Sequence, residues 1–175
     1  MDTKRLEAEK KLFKRLVISH WDIQHAQRFA RLILNRNLFD SFDASERDLL
    51  HALNTALIVA YWRPFSENKS TSDTWAVLPD SYLHDFSPSE KTLHEHIHRL
   101  RNKGMAHSDS EAHGVRVIVS DFAGRKTAIP TGWNPHVPLS KADVEMLLGM
   151  TEKLMARISE EHLRIETLLP IGKEF

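Results

Sequence analysis

Cysteine is absent from this chain of 175 residues, which excludes disulfides, thiolate nucleophiles and cysteine-rich zinc sites together. An excess of one charge is also missing, because 24 lysines and arginines balance 24 aspartates and glutamates. No global basic field therefore attracts nucleic acid, and any contact with RNA or DNA must be local. The length fits a single domain, residues 1–175, with one core.

Long hydrophobic runs are missing as well. The apolar stretch ALIVAYW is far shorter than the roughly 18 consecutive apolar residues of a membrane-spanning helix. The N-terminal stretch MDTKRLEAEKKLFKRL is charged throughout and lacks the apolar segment of a signal peptide. We therefore expect a soluble, cytoplasmic protein without a membrane partner. Histidine, in contrast, is abundant with 11 copies, and it serves as metal ligand and as general base near neutral pH.

Apolar residues at helical spacing predict that the first third of the chain is helical. One stripe begins at Leu6 and continues from Ala26 onward. Between them, Ser19 to Asp22 has the form of a capping box, so one long helix and two helices joined end to end both fit the sequence.

A further helix follows the stretch DSFDASERD, where Asp43 and Ser45 are candidate N-caps. Pro64 should end this helix near Arg63, because proline disfavours helical backbone in the residue before it. The residues expected on its buried face are Leu49, Leu53, Ala56, Leu57 and Ala60.

Residues 64–88 are rich in Ser, Asp, Asn and Pro and predict a long connection. Its large apolar residues indicate that it packs on the bundle; they are Trp75, Leu78, Tyr82 and Phe86. A third helix is expected to start at Ser87 or Ser89, with Pro88 in its first turn, and to end at about Gly104.

Two stretches rich in β-branched residues predict a β-hairpin within residues 113–133, with a turn at Gly124. Pro130 marks the second strand as an edge strand. Ser140 and Asp143 form a capping box that opens a long last helix. Its buried stripe should contain Val144, Leu147, Met150 or Thr151, Leu154, Ile158 and Ile165. The sequence therefore predicts a mainly α fold, an up-and-down bundle of four to five helices with a β-hairpin inserted before the last helix.

The stretch HEHIHRLRNKGMAHSD contains a first motif, HExxH, formed by His94, Glu95 and His98. Histidines four residues apart on a helix can share a zinc ion while the glutamate acts as base. Arg101, one turn further along the same face, would oppose a divalent metal. The candidates for a distant third ligand are His107, Glu111 and His113. The simpler interpretation is that these histidines and Glu95 are polar residues on the less buried side of a helix, without a metal.

The second motif is RNKGMAH, in which Arg101 and the polar Asn102 precede His107. The bare Arg–His spacing also occurs at 15–20 and 157–162, but these pairs lie inside amphipathic stretches and lack the polar residue. Arg101 and His107 instead flank Gly104 at a helix end, where a backbone change can bring the two side chains together.

The string LRNKGMAHSD, its place near the end of the penultimate helix and the helical context resemble the HEPN superfamily. The upstream stretch YWRPFSEN is similar to the corresponding region of bacterial members of the abortive-infection and toxin–antitoxin type. The resemblance implies a metal-independent endoribonuclease without a cofactor, acting as a homodimer on RNA or a nucleotide. It also implies an antitoxin or nucleotidyltransferase partner. An alternative is a non-catalytic dimeric module that binds a nucleotide, RNA or protein, and a small zinc hydrolase comes third.

The resemblance also implies roles for individual residues. His107 would transfer the proton of a ribose 2'-hydroxyl, Arg101 would hold the phosphoryl oxygens, and Asn102 would orient the substrate or the imidazole. Further substrate contacts are assigned to His94, His98, Arg63 and Asp109. Structural alternatives stay open, since Arg101 could pair with Glu95 or Asp109, and His107 could cap helix carbonyls.

Overall fold

The computed structural model describes residues 3–66, 77–105, 116–122, 124–131, 139–169 and 171–172. Within them the α-helices are α1 (Thr3–Asn35), α2 (Ala44–Trp62), α3 (Pro88–Arg99) and α4 (Lys141–Glu166). Strands β1 (Arg116–Phe122) and β2 (Arg125–Thr131) pair as an antiparallel hairpin between α3 and α4 in the chain. The predicted mainly α bundle with a hairpin before the last helix is thus confirmed.

Helix α1 is one continuous helix of 33 residues, about 50 Å long at 1.5 Å per residue. Ser19 and Asp22 do not interrupt it, because both side chains are buried against the bundle. Asp22 accepts a hydrogen bond from Nη1 of Arg63 at 3.3 Å. The capping-box pattern was therefore a coincidence of buried polar residues within a helix.

Helix α2 begins as its sequence predicts. Asp43 is the N-cap, and its carboxylate accepts hydrogen bonds from the backbone N–H groups of Ser45 at 2.7 Å and Glu46 at 3.3 Å. Ser45 is therefore inside the helix and does not cap it. The α-helix ends at Trp62 and continues as a 3-10 turn over Arg63–Phe65, close to the predicted end.

The buried face of α2 is wider than predicted. Leu53, Leu57 and Ala60 are buried as expected, whereas Leu49 and Ala56 are only half-buried. The additional buried residues are Leu50, Asn54, Ile58, Tyr61 and Trp62. The face is wide because α2 packs against α1, α3 and the turn that follows α3.

Neighbouring long helices run antiparallel. Arg36 at the end of α1 pairs with Glu46 at the start of α2 at 3.3 Å, and Arg164 at the end of α4 pairs with Glu9 near the start of α1 at 2.7 Å. Exposed pairs of this kind contribute at most about 1 kcal/mol, so packing of the apolar faces holds the helices together. No helix in the described part of the chain is long and apolar enough to cross a membrane.

Residues 77–87, the described part of the connection that leads into α3, pack on the bundle. Leu78, Tyr82 and Phe86 are buried, while Trp75 lies outside the described residues. The segment before α4 is held by Asn54, whose Oδ1 accepts a hydrogen bond from the backbone N–H of Leu139 at 2.7 Å. These contacts hold the segments that precede α3 and α4 against the core.

Helices α3 and α4 both begin with capping boxes, formed by Ser87 with Glu90 and by Ser140 with Asp143. All the residues predicted for the stripe of α4 are buried. The end of α3 differs from the prediction, because α-helical geometry stops at Arg99 and the chain continues as a π-helical turn.

Arg15 joins α1 to the end of α2. Its side chain is 1% exposed, and Nη2 donates to the carbonyl oxygens of Arg63 at 2.6 Å, Pro64 at 2.6 Å and Ser66 at 3.4 Å. Carbonyls at a helix end have no helical N–H partner. The guanidinium of Arg15 therefore caps this chain end from a neighbouring helix, while its own burial lowers the pKa of Arg15 and Asp22 opposes that shift.

Replacing Arg15 should strongly destabilise the protein. We expect Arg15→Met to lower the free energy of unfolding by about 2–4 kcal/mol, since it removes the charged donor of three hydrogen bonds that join α1 to the end of α2. Urea unfolding followed by circular dichroism measures the change. The matched control is Arg28→Met, an exposed position on the same helix, which should change stability by no more than about 0.5 kcal/mol. Equal effects of the two substitutions would contradict the capping role.

Candidate functional site

The end of α3 carries the predicted catalytic motif, and its backbone changes there. A π-helical turn spans Leu100–Met105 and packs against α2. Single π-helical turns are rare in proteins and occur frequently at functional sites. The wider turn also rotates the side chains after Leu100 away from the positions that a continued α-helix would give them.

Arg101 and Asn102 are adjacent in this turn and half-buried. Nη1 of Arg101 donates a hydrogen bond to Oδ1 of Asn102 at 2.9 Å. Across the described residues no carboxylate lies within ion-pair distance of Arg101, so the alternative pairing with Glu95 is not formed. His107 and Asp109 lie outside the described residues, as do Glu111 and His113. The structure thus brings together two members of the predicted catalytic set.

His94 is more buried than its place in a histidine-rich stretch suggests. It is 8% exposed, and its Nδ1 lies 2.8 Å from the hydroxyl of Tyr61. The rings of Trp62 and Phe65 each lie with centroids 4.8 Å from the imidazole. Burial lowers the pKa of His94 to about 4, and nearby His98 adds to this while Asp80 opposes it. His94 is therefore neutral at physiological pH.

His98 lies one turn further along α3 and is exposed. Its ring stacks on Trp62 with centroids 4.3 Å apart and an interplanar angle of 10°. Glu95 and His96 are also exposed. Three of the four polar residues therefore lie on the less buried side of the helix, as the sequence suggested. His94 is the exception, because it points toward the aromatic end of α2.

A pocket of about 620 Å³ lies beside these histidines, between α3 and the 3-10 turn Asp80–Leu83. Trp62, His94 and His98 line it together with charges of both signs, Asp80, Lys91, Glu95 and others. Arg101 is not among the lining residues. With two carboxylates beside one lysine, the pocket does not concentrate positive charge, and a phosphate contact by His94 or His98 stays a prediction.

The HExxH residues do not assemble a metal centre with other described residues. Within the described ranges no group of three or more His, Asp or Glu side chains is arranged to hold a metal ion. Tyr61 also engages Nδ1 of His94, so only Nε2 could bind a metal, and only in the tautomer in which Nδ1 carries the proton. The sequence candidates for a third ligand all lie outside the described residues.

Arg63, predicted as a substrate contact, has partners on α1. Its side chain pairs with Asp22 at 3.3 Å and is 58% exposed, while its carbonyl oxygen accepts from Arg15. It therefore contributes to the α1–α2 joint. Its predicted phosphate contact stays a prediction.

Two features of the site were missed by sequence reasoning. The pairing of Tyr61 with His94 joins residues 33 positions apart, and only the cluster of aromatic residues in YWRPF could have indicated it. The buried Arg15 has a weak signal, since Asp22 follows it by two helical turns on the buried face. Neither signal identifies a partner on another helix.

Comparison with known proteins yields no relatives: no family model, no curated protein and no solved structure matches this chain.

The stability of the protein should depend on pH through His94. Its folded-state pKa of about 4 lies below the unfolded value near 6.5, so unfolded chains take up this proton first as the pH falls. The contribution of neutral His94 is complete above about pH 6.5 and is lost progressively toward pH 4, by about 2–3 kcal/mol. We expect His94→Gln to flatten this part of the stability curve, measured by urea unfolding across pH.

The control for this test is His96→Gln, at an exposed position on the same helix. The free energy of unfolding of this variant should depend on pH in the same way as that of the wild-type protein. His162, whose pKa is also lowered by burial, is present in all three proteins and adds the same slope to each. Parallel curves for wild type and His94→Gln would contradict the assignment.

Proposed function

We propose that this protein is a metal-independent endoribonuclease that cleaves RNA by attack of a ribose 2'-hydroxyl on the adjacent phosphorus. One observation carries the proposal: Arg101 lies in a π-helical turn, is oriented by Asn102, and has no carboxylate partner in the described part of the chain. A half-buried arginine without a counterion is suited to bind an anion that arrives from outside.

The proposed chemistry needs two functional groups. His107 accepts the proton of the 2'-hydroxyl as its oxygen attacks phosphorus, and the bond from phosphorus to the 5'-oxygen breaks. The leaving oxygen takes up a proton, so the products are a 2',3'-cyclic phosphate and a 5'-hydroxyl. Arg101 stabilises the negative charge that develops on the phosphoryl oxygens, because its planar guanidinium donates two parallel hydrogen bonds.

Asn102 supports this role of Arg101. Its amide oxygen holds Nη1 at 2.9 Å, and a neutral acceptor orients the guanidinium without cancelling its charge. An aspartate or glutamate in this position would instead form an ion pair that competes with the phosphate. The pair therefore favours an anionic ligand over a purely structural role.

The cellular setting is proposed from the motif. The resemblance of LRNKGMAHSD to the HEPN superfamily supports a bacterial defence or toxin–antitoxin ribonuclease that works as a homodimer. The same resemblance supports an antitoxin or nucleotidyltransferase as partner. The alternative is a module that binds RNA without cleaving it, and a cleavage assay distinguishes this module from the enzyme.

RNA cleavage should depend on Arg101 and His107 and should persist in EDTA. We expect His107→Ala to lower the rate by about 10²–10⁴-fold, as for loss of a general base. Arg101→Ala should lower it by about 10²–10³-fold, as for loss of a charge-stabilising donor. The measurement is cleavage of total RNA with and without EDTA, with analysis of fragment ends for cyclic phosphate.

Two controls make this result specific. Arg99→Ala removes an exposed arginine two residues earlier on α3, and His96→Ala removes an exposed histidine; both should keep wild-type cleavage. RNA cleavage that persists in His107→Ala would refute the proposal. Peptide cleavage that requires metal and is lost only in His94→Ala would instead establish the zinc hydrolase, and RNA binding without cleavage would establish the binding module.

A further inference from the structure

The β-hairpin leaves apolar side chains of β1 in solvent on both of its faces. Val117 is 60% exposed, Ile118 is 56% exposed and Val119 is 65% exposed, and successive residues of a strand point to opposite faces. In the described part of the chain no helix packs extensively against either strand. Because a single two-stranded hairpin is marginally stable in water, this exposed apolar surface indicates a contact with another molecule.

The two strands differ at their outer edges. Among the described residues β1 and β2 pair only with each other, so each strand has one edge whose backbone groups face outward. Along β2, Pro130 has no N–H to donate, and Arg125 and Lys126 are charged. Proline and charged residues at an edge prevent a further strand from pairing. Residues 117–120 of β1 contain neither a proline nor a charge, so the edge that can accept a strand is that of β1.

We propose that β1 pairs in antiparallel orientation with β1 of a second copy of this chain, so that two hairpins form one four-stranded sheet around a two-fold axis. Strand addition at a sheet edge is a general mode of recognition, because backbone hydrogen bonds provide affinity and the side chains provide specificity. Since the edge of β2 is protected, the sheet ends after four strands and the assembly is a closed dimer. The inference extends the proposed function, which expects a homodimer, by naming the surface through which the two copies meet.

One register of the two β1 strands matches apolar side chains with each other. If Ile118 lies opposite Ile118 of the second copy, Val117 lies opposite Val119, and apolar pairs of this kind stabilise a sheet. Within each hairpin Ile118 also pairs with Ile129, so four isoleucines form one row across the sheet. A register centred on Val119 would instead place Val117 opposite the charged Asp121. The two-fold axis of the proposed sheet therefore passes beside Ile118.

Self-complementarity favours a second copy over an unrelated strand as the occupant of this edge. In a two-fold contact the same surface serves both partners, so the central stretch of β1 must suit itself. Residues 117–119 meet this condition, because all three are apolar and no like charges oppose each other across the axis. A single pair of strands is a small interface, so the association should be weak and should increase with protein concentration.

Single cysteines test the proposed register directly, since the chain has no cysteine of its own. In the four-stranded sheet the Cβ atoms of the two residues at position 118 are about 5 Å apart, close to the separation that a disulfide spans. We expect Ile118→Cys to form a disulfide-linked dimer under mild oxidation, detected by non-reducing electrophoresis. The matched control is Ile129→Cys, which should stay largely monomeric because the outer strands of the sheet are about 14 Å apart.

Charge substitutions test the association without a covalent link. Ile118→Lys sets two like charges opposite each other and should weaken self-association by at least about tenfold, measured by sedimentation equilibrium. Ile118→Glu should have the same effect, whereas an equal mixture of the two variants should associate again because the opposed charges then attract. Ile129→Lys is the control and should associate like the wild-type protein. Circular dichroism verifies that each variant keeps the helical fold.

Three results would overturn the inference. The first is a wild-type protein that stays monomeric at every concentration, together with an Ile118→Cys variant that does not cross-link. The second is a dimer that Ile118→Lys leaves unchanged, because its contact would then lie on another surface. The third is equal cross-linking of Ile118→Cys and Ile129→Cys, which would report random collision.

RNA cleavage by the same proteins separates this inference from the ribonuclease proposal. A protein that associates through β1 but never cleaves RNA would support the four-stranded sheet and refute the enzyme. A wild-type protein whose cleavage needs Arg101 and His107, but which forms no contact at Ile118, would support the enzyme and overturn the sheet.

Discussion

The buried guanidinium of Arg15 is the interaction on which the arrangement of this bundle depends. Removing a charge from water costs several kcal/mol, and here the cost is offset by three carbonyl oxygens at the end of α2. These carbonyls also carry the partial negative charge of a helix C-terminus, which favours a cation. Since donor and acceptors lie on different helices, the interaction fixes where α1 meets the turn Arg63–Phe65.

The turn Arg63–Phe65 and the end of α2 position helix α3. Trp62 and Phe65 lie at the end of α2 and surround His94 of α3, with ring centroids 4.8 Å from the imidazole. Tyr61 adds a hydrogen bond to the same ring. These contacts join the C-terminal half of α3 to α2, and the π-helical turn that carries Arg101 and Asn102 follows directly.

The ribonuclease proposal rests on the end of α3, where Arg101 has a neutral orienting partner in Asn102. The pocket at His98 has charges of both signs and does not form a basic surface. A chain of zero net charge has no global basic field, so the proposed contact with RNA is a local one.

Local signals in the sequence were sufficient for most of the fold. Ser87, Ser140 and Asp43 marked helix starts, since each satisfies N–H groups of the next turn, and the spacing of Val144 to Ile165 identified the buried face of α4. Such features depend on residues within a few positions of each other. The Arg101–His107 motif was also visible in sequence, but its assignment relied on the resemblance of a short string.

The features that sequence could not determine join residues far apart in the chain. Whether Ser19 and Asp22 cap a helix or lie buried within one depends on α2 packing beside them. The burial of His94 depends on Tyr61, 33 residues earlier, and whether a carboxylate reaches Arg101 depends on the elements that pack beside the π-helical turn. The sequence alone determined where α2, α3 and α4 begin and that a hairpin precedes α4, because these features arise from local hydrogen bonds and hydrophobic spacing. Only the tertiary structure decided which polar side chains are buried and which charges lack partners, because burial and pairing are set by other helices.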